Sequence, residues 1–138
     1  MRILSIDYGK KRTGIAVTDS LQIIANGLTT VDTSDLIKFL KEYTAKEAVE
    51  RFVLGLPTQP NGQPSDNLPR VQAFAEKLAK VFPQIPVEFY DERFTSVLAH
   101  QAILDSGIGK KRRRQDKGLV DEISACIILQ SYLESRGR

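Results

Sequence analysis

The run Phe52, Val53, Leu54 and Leu56, cut off by Pro57, constrains the fold more than any other feature of the chain. It is short, bounded by breakers and lacks polar alternation, which is the pattern of a strand buried on both faces beside a parallel neighbour. Other strands must therefore lie close by. Residues 2–7, with Ile3, Leu4 and Ile6, read as a first strand stopped by the turn-forming Tyr8-Gly9-Lys10-Lys11. Residues 13–18 follow at once as a second, in which Gly14 and Ala16 keep one face thin, and residues 22–31 suit a third strand of the same antiparallel meander. Pro86 introduces a further alternating strand over residues 87–91.

Helical spacing fills the intervals. Thr33, Ser34 and Asp35 offer capping side chains ahead of Leu36, Ile37, Phe39, Leu40 and Tyr43, in a helix that ends near Lys46. Breakers Pro60, Asn61, Gly62 and Pro64 make residues 58–67 a loop, and Leu68, Val71, Phe74, Ala75 and Leu78 restore the helical period. Thr95 or Ser96 caps a third helix that reaches Ser106 and stops at Gly107. Residues 108–117 are basic and aperiodic, as in a surface loop, whereas residues 119–133 are apolar on most of their circumference and predict a helix packed deep against the sheet. The order is β-β-β-α-β-α-β-α and then this last helix, an α/β arrangement, and 138 residues suit one domain.

Composition excludes several classes of protein. No stretch approaches the roughly 18 apolar residues of a membrane span, and the start MRILSID lacks a signal peptide's apolar segment, so a cytoplasmic protein is expected. Cys126, the single cysteine, falls in an apolar run and reads as a small buried hydrophobe; with it and one histidine, His100 in mid-helix, there is no zinc-ligand set and no convincing Ser-His-Asp arrangement. The net charge is only +3, but Lys10, Lys11 and Arg12 are contiguous, and Lys110, Lys111, Arg112, Arg113, Arg114 and Lys117 crowd one segment. Such clusters concentrate polyanions, the plain alternative being a solvated loop.

Three acids stand at conspicuous places. Asp7 ends the first strand, Glu92 follows the last, and Asp121 shares a face of the final helix with Ser124, Ala125 and Ile128. A buried carboxylate without a partner costs several kcal/mol, which a divalent cation shared by two or three carboxylates offsets. Two Mg²⁺ ions about 3.5–4 Å apart would activate water and stabilise the departing oxygen of a phosphodiester. Each acid also has a structural reading: Asp7 as a turn residue before Gly9, Asp121 as a partner of its own helix dipole, and Asp91 or Glu92 as an ion-pair partner of Arg93. Spacing does not choose between Asp91 and Glu92.

I-D-Y-G at Asp7, V-L-G-L-P at Val53, Y-D-E-R-F-T-S at Tyr90 and K-G-L-V-D-E-I-S-A at Lys117 come in the order and spacing of the YqgF family, also called RuvX, which the whole chain resembles. The resemblance implies an RNase H-like fold, a mixed five-stranded sheet with helices on both faces, related to the RuvC resolvases. It also implies a nuclease that matures the 5′ end of pre-16S rRNA, using Mg²⁺ or Mn²⁺ on Asp7, Glu92 and Asp121, with Asp91 as a further candidate ligand. Arg93 and Lys117 would contact phosphate, and Thr95 would position its segment. RuvC enzymes carry an acid after the central strand, where this chain has Gly55-Leu56-Pro57, so one ligand is expected to move to the D-E-R segment. Expected partners are structured RNA, ribosomal precursor particles or branched DNA, with the chain a monomer or weak homodimer and no membrane. Rival readings are a Holliday junction resolvase, a non-catalytic RNA-binding factor, and a nucleotide-binding protein with the actin-like pattern Asp7-x-Gly9 then Thr13-Gly14, which length disfavours.

Overall fold

The computed structural model describes residues 1–57, 66–92, 101 and 117–136, for 117–120 the backbone alone. At its centre is β1 (Arg2–Asp7), which pairs antiparallel with β2 (Arg12–Thr18) and parallel with β4 (Val49–Leu56). The outer strands are β3 (Ala25–Asp32), antiparallel to β2, and β5 (Val87–Asp91), parallel to β4, giving the order β3-β2-β1-β4-β5. The apolar run therefore is a strand between two parallel neighbours, with Phe52, Val53 and Leu54 inaccessible to solvent.

Alternation along the strands builds two cores. Leu4, Ile6, Ile15, Phe52 and Leu54 face α1 (Leu36–Lys46) and α2 (Leu68–Val81), through Leu36, Leu40, Val71, Phe74 and Leu78. Ile3, Ala16, Ala25 and Val53 face the opposite way, toward Ala125, Ile128, Leu129 and Tyr132 of α3 (Lys117–Arg136). Burial of each large side chain contributes about 1.5–3 kcal/mol, so the two layers hold the sheet from both sides. Buried Cys126 belongs to the α3 layer.

Some boundaries differ from the expected ones. β3 starts at Ala25 rather than residue 22, because Asp19 accepts the backbone N–H groups of Leu21, Ile23 and Ile24 and folds that stretch into a turn. Thr33, Ser34 and Asp35 form a 3₁₀ turn instead of capping α1, and no side chain caps that helix. The Thr33 hydroxyl donates to the Gly9 carbonyl at 2.7 Å, which ties the Tyr8–Lys11 turn down. α3 begins at Lys117, so that residue is helical and not part of a loop. The expected helix over 95–106, and most of the loops over 58–67 and 108–117, lie outside the described residues. No helix among the described residues is long and apolar enough to cross a membrane.

Candidate active site

Asp7 ends the central strand, and the alternation that turns Ile3 and Ser5 toward α3 turns Asp7 the same way. The hydroxyl of buried Ser5 donates to the Ala125 carbonyl at 2.7 Å, which pins α3 across β1 two residues from the acid. Asp7 pairs in register with Gly14, and Gly14 is why α3 can come so near. A Cβ on Gly14 would lie 1.9 Å from the carbonyl oxygen of Asp121 and 2.9 Å from the nitrogen of Glu122, so only a glycine lets the first turns of α3 lie on β2. Gly27 gives similar room to Glu122 on β3.

Glu92 reaches the same place from the other side. Gly55 and Tyr90 are register partners, and the Glu92 carboxyl carbon is 3.3 Å from where a Gly55 side chain would begin. The Glu92 side chain thus lies, beside that of Ile128, over the end of β4. The charge of Glu92 acts on Asp7, whereas Asp91 acts on Glu92 and Tyr90.

The electrostatics record the crowding. Burial first, then the negative charges of Glu92 and Asp121, push the Asp7 carboxyl up to about 7. Burial, and then Asp91, raise Glu92 as well. Asp121 is held differently: Arg12 Nε lies 3.0 Å from Asp121 Oδ2, a partly exposed ion pair between the start of β2 and α3. Among the described residues, Arg12 and Asp121 thus form an ion pair at this end of the sheet. As the side chains stand, no three acidic, histidine or cysteine groups among the described residues are close enough to hold one ion, and Asp121 leans toward Arg12. The donors are all carboxylate oxygens, which suits hard cations such as Mg²⁺ or Mn²⁺, and gathering them requires Asp121 to turn from Arg12.

Lys10 and Lys11 are exposed on the turn between β1 and β2, which begins directly after Asp7. Arg93, Lys110, Lys111, Arg112, Arg113 and Arg114 lie outside the described residues, as do Thr95, His100 and the Lys117 side chain. Sequence reasoning placed Arg12 among phosphate contacts and missed its pairing with Asp121. It noted the thin face of β2 at Gly14 and Ala16 without seeing that α3 fills it.

The sequence profile of the family described as "RuvX: Holliday junction resolvase" matches residues 1–135. A protein of Phocaeicola vulgatus named "Putative pre-16S rRNA nuclease" is 65% identical over 135 residues, 98% of this chain and 96% of that protein. One of the same name from Porphyromonas gingivalis is 58% identical over 137 residues, 99% of each. Among solved structures, the fowlpox virus resolvase in complex with Holliday junction DNA superposes with a TM-score of 0.62 at 13% identity over the full length of both chains. Thermus thermophilus RuvC in complex with a Holliday junction does so with 0.55 at 16% identity, covering 98% of this chain and 96% of that one. The fold is accordingly RNase H-like.

Proposed function

Because this chain belongs to the RuvX family, we propose that its acidic cleft is the active site of a metal-dependent nuclease that cuts a phosphodiester bond in structured RNA, in 5′ maturation of pre-16S rRNA. One observation carries the reading. Asp7, Glu92 and Asp121, remote in sequence, lie close enough that two of them raise the proton affinity of the third.

Asp7, on the central strand, is the fixed member of the set, while Glu92 and Asp121 reach it from β5 and α3. A divalent cation bound there supplies Lewis-acid activation of water and stabilises the leaving oxygen. Ser5 and Gly14 keep Asp121 at the cleft, and Arg12 neutralises it until it turns inward. Lys10, Lys11 and Arg12 form the cationic lip that draws the phosphate backbone in. Arg93, Lys117 and the basic segment from Lys110 to Arg114 would extend it, and Asp91 adds negative charge beside Glu92, which favours a cation shared by the cluster. The same cleft would serve a four-way DNA junction, the substrate named in the family's description.

Incubation of the purified protein with precursor rRNA and with a synthetic junction, in Mn²⁺ or EDTA, tests both. Cleavage of the rRNA that vanishes in EDTA and in Asp7→Asn and Asp121→Asn supports the reading. Metal-independent cutting, or salt-sensitive RNA binding without cutting, refutes it.

A further inference from the structure

The alternation along the central strand that carries Asp7 toward α3 carries the next residue, Tyr8, to the opposite side. There the Tyr8 ring stacks on Phe74 of α2, centroids 4.7 Å apart. A depression of about 370 Å³ opens at this point between the 3₁₀ turn and α2, with Tyr8, Ile37 and Phe74 in its lining. Arg70, Ala73, Phe74 and Lys77 stand at positions i, i+3, i+4 and i+7 of α2, one face of the helix, with a cation at each end of an apolar strip. Neither cation makes an ion pair with a carboxylate among the described residues.

We infer that this groove holds a single-stranded segment of the nucleic acid whose bond is cut at Asp7, with a base against Ala73 and the half-buried Tyr8 ring, which Phe74 backs from the core, and backbone phosphates on Arg70 and Lys77. The inference rests on the nuclease reading above. Three features select this occupant. First, the groove adjoins the cleft and is fixed to it: Asn67 Nδ2 donates to the Tyr8 carbonyl at 2.8 Å, and Thr33 holds Gly9. No carboxylate is among the groove's lining residues. Second, seven residues of helix separate Arg70 from Lys77 by about 10 Å, a span that lets the two cations meet different phosphates of one strand. The apolar strip between them suits a base face, which stacks on aromatic side chains whatever its identity. Third, the depression on the other side of α1 is lined by three acids, Asp32, Asp35 and Glu42, against one cation, Lys38, so its net negative charge disfavours a polyanion there relative to the α2 side.

The test is fluorescence anisotropy with a labelled single-stranded RNA 12-mer, a DNA 12-mer of the same sequence and a blunt RNA duplex, all in an Asp7→Asn background that cannot cut. Arg70→Ala/Lys77→Ala is compared with Lys38→Ala/Lys41→Ala, which removes the same charge from α1. Both pairs are exposed, so folding is preserved. Loss of the α2 pair is expected to weaken single-strand binding about tenfold at about 0.1 M salt and to flatten the slope of log affinity against log salt by about 1.4 for two lost phosphate contacts. Duplex affinity changes less than twofold, and the α1 pair has little effect on any probe. The larger loss, on RNA or on DNA, identifies which strand the groove takes. Ala73→Glu, which blocks the strip while leaving both cations, should reproduce the defect. Equal losses on duplex and single strand, equal losses from the α1 and α2 pairs, or no loss from either groove variant overturn the inference. Cleavage assays on the chain with Asp7 intact are read separately: a chain that binds through the groove but cuts nothing refutes the nuclease reading alone.

Discussion

Gly14→Ala tests whether the position of α3 governs the acidic cleft. The added Cβ would start 1.9 Å from the Asp121 carbonyl oxygen and 2.3 Å from its carbon, while real Cβ atoms keep at least 3.0 Å and ordinarily 3.4 Å or more. Both obstructing atoms are backbone, so rotamer changes bring no relief. β2 cannot yield, since β1 and β3 hold it on either side and Ile15 is anchored in the opposite core. The first turns of α3 must therefore retreat by about 1.1–1.5 Å, the difference between those separations. Overpacking of this kind costs about 1–3 kcal/mol, which lowers Tm by several degrees in a chain of this size. A displacement of about 1 Å at a catalytic group lowers turnover roughly 100-fold. Mn²⁺ titration by calorimetry at 15 °C, where a moderately destabilised variant stays folded, separates misplacement from unfolding: affinity and cleavage should both fall while the far-UV spectrum is retained. A Gly14→Ala protein with the parent Tm and Mn²⁺ affinity would refute the argument that this glycine positions Asp121.

Other consequences are open to direct measurement. The native state holds the Asp7 proton to about 7, far above an ordinary aspartate, so without metal stability should decline as pH rises from about 4 to 7; urea melts in EDTA should show a loss on the order of 2–4 kcal/mol, most of which Asp7→Asn removes while the part due to the raised Glu92 persists, and parallel curves would count against it. Arg12→Ala removes the competitor for Asp121, a partly exposed pair of about 0.2–1 kcal/mol, so calorimetry should find Mn²⁺ bound about two- to fivefold more tightly while RNA binding weakens; lower metal affinity would contradict the pairing. Ser5→Ala deletes a buried bond between β1 and α3 and should cost about 1–2 kcal/mol in a denaturant melt, with Ser5→Thr no substitute in a site without free volume. An unchanged melt would show that α3 is held by its apolar face alone.

Much of the architecture was legible in the sequence because periodicity is a local property. Apolar and β-branched residues bounded by turn formers marked β1 and β2, alternation marked β5, helical spacing marked α1 and α2, and an apolar run cut off by proline marked β4. Capping failed at Thr33, whose hydroxyl found a better partner in the remote Gly9 carbonyl, and β3 was placed too early because Asp19 gathers three backbone donors that composition does not reveal.

The three acids were recognisable one by one from where they fall along the chain, since a carboxylate at a strand end or on the inner face of an apolar helix needs a reason to be there. Their meeting was not recognisable in that way. That Glu92 rather than Asp91 bears on Asp7 follows from the register of β5 on β4, that Asp121 reaches the cleft follows from the absence of a side chain at Gly14, and that Arg12 holds Asp121 follows from both. Nearest neighbours in sequence determine what a segment can become, but sheet register and the separation of helix from sheet arise from contacts between residues up to 120 positions apart, and those only the packed chain decides.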